Sequence, residues 1–144
     1  MKNFKLIIGV IICISLITSC KKTVTDDTAK FIGIWAGTFS MNVPGAGSPS
    51  STSTTVAITK GSADNQIILT QTGSTATRTA NVNGNGYTYV EISTTTTTQG
   101  ITISMKMNGS GTLSGTTISE TGTVVITMAG VDYSGTWSSS MTKQ

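Results

Sequence analysis

Few side chains in this 144-residue sequence can do chemistry, and the missing ones exclude whole classes of function. Histidine is absent, and only Cys20 of the two cysteines follows the first apolar run, so Ser-His-Asp catalysis, Cys-His catalysis and the usual zinc sites are excluded. Beyond Phe31 the carboxylates are Asp64, Glu91, Glu120 and Asp132. Two carboxylates converging on a cleft can act as a hydrolytic acid/base pair. Here Asp64 and Glu120 fall in expected turns, Glu91 on a strand and Asp132 at the head of the last strand, a scatter that reads as solubilising charge. The glycines precede turns and not phosphate-binding helices, and no Asp-rich calcium loop occurs. No enzyme, metal or cofactor is therefore expected. What remains is a set of large apolar side chains, of which Tyr87, Tyr89, Met105 and Met107 are the expected wall of any binding cavity. Methionine suits such a wall because its unbranched thioether adapts to irregular contents.

The elements that would position these residues are strands. Residues 31–144 are rich in Thr, Ser, Gly, Val and Ile, and no long stretch carries apolar residues at helical spacing, so the domain reads as all-β. In residues 31–41 the odd positions carry Phe31, Trp35, Phe39 and Met41, which a strand sends to one face. The same order of aromatic, any residue, Gly, any residue, Trp returns in Tyr133-Ser134-Gly135-Thr136-Trp137. We expect these two segments to be neighbours, with Gly33 and Gly135 leaving room for rings to lie across the backbone and with Trp35 and Trp137 in the core. Residues 44–53 form the longest expected loop, a candidate flap. Further strands are expected at 54–60, 66–72, 75–82, 87–95, 101–107, 112–119, 123–128 and 132–142, with a tight turn at Asn83-Gly84-Asn85-Gly86. Ile101, Ile103, Met105 and Met107 alternate with Thr102, Ser104 and Lys106, the clearest inside/outside pattern in the chain. This gives nine candidates joined by short connections, an antiparallel up-and-down meander. An even ring keeps every pair antiparallel, so one candidate should be split or merged, and 112–119 is the weakest. The expected architecture is an eight-stranded barrel, with a β-sandwich as the alternative.

The first residues address the chain to the cell envelope. Lys2 and Lys5 precede an apolar run over 6–17 and then small residues, the pattern of a secretory signal peptide over 1–19. The run is shorter than the ~20 apolar residues of a comfortable transmembrane helix. The junction Ile17-Thr18-Ser19-Cys20 resembles the lipobox of bacterial lipoproteins, which implies cleavage before Cys20, a diacylglyceryl thioether on its sulfur and acylation of the new amino terminus, typically with palmitate. The same resemblance implies the envelope of a Gram-negative bacterium, with the outer membrane as the expected address. Residues 21–30 then read as a flexible tether able to span up to about 33 Å. Without the leader lysines, seven basic side chains face six acidic ones, so no basic face for nucleic acid exists. Lys21 and Lys22 sit where anionic head groups would be.

The opening Gly33-Ile34-Trp35 of a small exported antiparallel domain resembles the Gly-x-Trp signature of lipocalins and the wider calycin group. The resemblance implies an eight-stranded up-and-down barrel over 31–144 with an apolar interior, the Trp sealing the closed end and the first loop flanking the mouth. This chain departs from that pattern in having no C-terminal helix, no middle motif, and Lys143 in place of the late arginine that stacks over the Trp. Two functions follow. The first is a membrane-anchored binding module for a small apolar or amphipathic ligand; the second is an accessory lipoprotein whose filled barrel is a platform for a protein partner.

Overall fold

The structure, a computed structural model, describes residues 26–47, 49–98 and 100–144. The expected signal peptide, Cys20, Lys21 and Lys22 lie outside the described residues. A 3-10 turn, Asp27–Lys30, precedes nine strands: β1 Gly33–Asn42, β2 Ser50–Lys60, β3 Gln66–Gln71, β4 Thr77–Asn83, β5 Gly86–Tyr89, β6 Ile92–Thr98, β7 Ile101–Ser114, β8 Thr117–Met128 and β9 Val131–Lys143. Each of β1 to β4 pairs antiparallel with the next, β5 pairs β7, β7 pairs β8, β8 pairs β9, and β9 returns to β1. Eight strands thus close an antiparallel barrel, and β6 is an additional strand that pairs with β7. The expected neighbours meet, with Trp35 opposite Lys143 and Met41 opposite Trp137.

The ninth strand arises from a bulge. Tyr87 faces Gly111 and Thr88 faces Ser110, whereas Ile92 faces Met107 and Ser93 faces Lys106, so Val90 and Glu91 together oppose Asn108. One extra residue of this kind bends a strand and turns it out of its ladder. Beyond the bulge β6 follows β7 but leaves β4, whose ladder to β5 ends with Val90 N–H donating to Thr79 C=O at 2.9 Å. The candidate strand 112–119 is a hairpin instead: Ser114 faces Thr117 across Gly115 (φ 58°), and Leu113 faces Ile118. The gaps left between the candidate strands at 108–111 and 120–122 are runs of paired strand, and Ser50–Ser53, read as loop, opens β2. Ser, Thr and Gly supply too little apolar contrast in these stretches to separate strand from turn.

The barrel has a sealed end and an open end. At the sealed base Phe31, Trp35, Ile58, Ile67, Leu69 and Ile118 are fully buried. The turn Asp27–Lys30, read from the sequence as tether, closes the base with Thr28 buried beneath it. Asp26 caps the turn, accepting from Thr28 N–H at 3.1 Å and from its hydroxyl at 2.6 Å, and Lys60 pairs with the same carboxylate. Trp35 Nε1 donates to Phe31 C=O at 2.7 Å, and the Lys143 ammonium lies 5.4 Å from the Trp35 ring centroid. The open end holds residues 43–47, the 72–76 loop, the start of β7 and the tip of the β8–β9 hairpin. Ile101 and Ile103, expected on the inner face, stand 51% and 36% exposed because β7 runs past the rim, where Ile103 is its last residue paired to β8.

Candidate functional site

The interior is filled from the base upward by touching rings and empties above them. Phe31 meets Tyr87 edge-on at 5.4 Å, Tyr87 meets Tyr89 at 5.6 Å, Tyr89 meets Trp137 at 5.8 Å, and Trp137 stacks on Phe39 at 5.8 Å. Glycines on β7 and β8 make that column fit. A Cβ on Gly122 would meet Asn108 O at 2.0 Å and Trp137 Nε1 at 2.5 Å, and one on Gly111 would meet Tyr87 Cζ at 2.3 Å. The clearance expected of Gly33 and Gly135 serves other neighbours: Gly135 (Cβ to Asn42 O 2.2 Å) admits the start of the first loop, and Gly33 admits the stem of Lys143.

Above the rings lies a cavity of about 380 Å³. Its apolar wall is Phe39, Met41, Val56, Ile92, Met105 and Met107, and it opens between the 72–76 loop and β6, where the bulge has parted β6 from β4. A cleft of about 500 Å³ on the outer face is bounded by small hydroxyl residues such as Ser40, Thr121, Thr136 and Ser138, with no charged group. The inner cavity is the better site because it joins an apolar wall to a few converging polar groups.

Thr54, Gln71, Ser74, Thr77, Ser93 and Thr94 add hydroxyls and an amide to the lining, and its charged and least solvated polar groups are Glu120, Ser139 and Arg78. Glu120 is 2% exposed, and Tyr87 Oη donates to its Oε1 at 2.5 Å, with Tyr89 Oη donating to the same oxygen. Burial first, and then the neighbouring Tyr89 and Glu120 for Tyr87 and Glu120 for Tyr89, push both phenols above their ordinary value of 10.0, so both remain donors at neutral pH. Ser139, opposite Glu120 on β9, is 7% exposed, and its hydroxyl has no hydrogen-bond partner among the described residues. Arg78 lies 5.4 Å from the Tyr89 ring centroid on the β4 side of the opening.

Of the four residues read as a cavity wall, Met105 and Met107 line the cavity, while Tyr87 and Tyr89 lie beneath it, buried, and hold Glu120. Glu120 itself, read as a turn residue with solubilising charge, is the buried centre of the polar group. Its signal was parity: Ile118, Glu120, Gly122 and Val124 alternate with Ser119, Thr121 and Thr123, which puts the carboxylate on the inner face. The other domain carboxylates stand apart from it: Asp64, Glu91 and Asp132 are exposed. Among the described residues no three His, Cys, Asp or Glu side chains cluster as metal ligands.

No family model matches the chain, and no curated protein matches it. Among solved structures, a protein of unknown function from the DUF3598 family of Nostoc punctiforme aligns with a TM-score of 0.48 and 12% identity, over 78% of this chain and 47% of that one. The chain therefore spans about half the length of that structure.

Proposed function

We propose that this chain is a lipid-anchored, lipocalin-like barrel lipoprotein that binds a small amphipathic molecule, and not an enzyme. The observation that carries the reading is the methionine-lined cavity of about 380 Å³, whose volume lies within the range of small-molecule sites. Support for the family likeness is the course of the chain: Gly33-Ile34-Trp35 opens the first strand, Trp35 seals the base, and Lys143 lies over its ring. The lipobox at Ile17-Thr18-Ser19-Cys20 supports the anchor and an outer-membrane address. Asp26 sits at the sealed base, against Lys60 at the end of β2, so an anchor at Cys20 would join the barrel at the end opposite the cavity. The mouth would then face away from the bilayer, suiting exchange with the aqueous compartment or with another protein.

Apolar burial contributes about 25 cal/mol per Å², so an environment-sensitive apolar fluorophore should bind the full-length protein with one-to-one stoichiometry. Met105→Trp should abolish that binding by filling the cavity while leaving the far-UV circular dichroism unchanged. Absence of saturable binding, or binding indifferent to Met105→Trp, would favour the filled barrel as a platform for a protein partner.

A further inference from the structure

The polar end of the cavity carries a carboxyl group, Glu120, with no cation within ion-pair distance among the described residues. Among the described residues the ion pairs are Lys30–Asp27 and Lys60–Asp26, both at the base, and neither reaches Glu120. Its described hydrogen bonds come from two neutral phenols and both end on Oε1, which leaves Oε2 for the occupant of the cavity that Glu120 lines. Arg78, a cation on the same cavity, is directed to the face of Tyr89 and lies outside ion-pair distance of the carboxylate. Beside Glu120, at its register position on β9, stands the Ser139 hydroxyl, which no described residue engages and which can accept as well as donate. A buried carboxylate without a countercharge is costly, and a polar group enclosed without a partner adds to that cost. Both deficits are met by one group that brings positive charge and several N–H donors.

We propose that the cavity selects a cationic amphiphile, a protonated amine on an apolar body, whose ammonium donates to Glu120 Oε2 and Ser139 Oγ while its chain lies along Met105, Met107, Phe39 and Val56. This rests on the reading of the cavity as a binding site and names its ligand class. An alcohol satisfies the two polar groups but brings no charge, and a carboxylate meets Glu120 with repulsion. The cavity thereby differs from a purely apolar one, in which the head group would be indifferent.

The test is a competition series on the full-length protein in which decylammonium, decanol and decanoate displace the apolar fluorophore at neutral pH. Decylammonium should bind about ten- to a hundredfold more tightly than decanol, the fold-change corresponding to one charge-assisted hydrogen bond, with decanoate weakest. Glu120→Gln should remove that preference, bringing decylammonium and decanol to comparable affinities. Ser139→Ala, which deletes a hydroxyl that no described residue engages, should weaken decylammonium several-fold with an unchanged circular dichroism spectrum, and so reports on the site even if Glu120→Gln fails to fold. Equal affinities for the three ligands, or tightest binding of decanoate, would overturn the charge selection and leave the binding function standing. If none of the three, nor the fluorophore, binds, both fall together.

Discussion

Trp137 is the residue on which packing and cavity meet. Its indole is 3% exposed, donates to Asn108 C=O at 3.0 Å, stacks on Phe39 and lies against Tyr89. Truncating a buried aromatic of this kind typically costs about 3–5 kcal/mol, a large part of a small domain's stability. Trp137→Ala should shift the denaturant midpoint accordingly; an unchanged midpoint would show that β9 does not close the barrel. Gly122→Ala probes the same contact from the other side, because the new methyl would strike backbone at Asn108 O, which cannot rotate away. Overpacking of this sort typically costs about 1–3 kcal/mol, measurable in the same experiment, whereas Gly73→Ala, where a Cβ meets open space at φ 81°, tests backbone strain alone. The aromatic spacing around Trp35 and Trp137 was legible because large rings alternate with small residues. The glycines that accommodate the rings were not, since a glycine in a Ser/Thr-rich stretch looks the same whether it turns the chain or clears a neighbour.

At the scale of elements, the 3-10 turn and its cap form a clip across the base. Asp26 is held well below its ordinary value of 3.8, at about 2, chiefly by the hydrogen bond from Lys60, then by those from Thr28. A carboxyl depressed on folding adds stability that is fully present above the unfolded value and is lost as pH falls through the folded one. The clip should therefore hold above about pH 4 and release as the pH approaches 2. The Phe31 amide, which donates to Thr28 C=O at 2.9 Å, reports this directly. Its hydrogen-exchange protection, corrected for intrinsic rate, should fall over that window and already be reduced at neutral pH in Asp26→Asn; protection that stays constant would show that Asp26 does not hold the turn. Such a short turn was hidden in the sequence by its polar composition, which matches that of a tether. The bulge at Val90–Glu91 was equally hidden, because an inserted residue becomes visible only when both partners of a ladder are known. Hairpins at Gly84-Asn85 and Ala129-Gly130 were legible, the second with φ values of 51° and 80°.

The whole molecule is a ring of eight antiparallel strands that is packed at one end and open at the other, with the N-terminal turn on the packed end. Closure was legible from the meander and from the repeated aromatic pattern at the two termini of the domain, since a sheet whose first and last strands match leaves no edges to protect. The polar centre was legible only through the parity of Ile118, Glu120, Gly122 and Val124, because by composition a glutamate among Ser, Thr and Gly reads as surface. Anchoring belongs to this scale too. Each buried acyl methylene contributes about 0.8 kcal/mol, so two or more chains on Cys20 would hold the barrel on the membrane. Cys20→Ala should move the protein to the soluble fraction, and continued fractionation with the membrane would argue against lipid attachment at that residue. The most direct test of the cavity as a ligand site is native mass spectrometry of the full-length protein purified from its native host. A one-to-one adduct that organic solvent extracts, and that Met105→Trp eliminates, is the expected result. A protein that flies without any adduct, or whose adduct persists in Met105→Trp, would contradict the cavity's role as a ligand site.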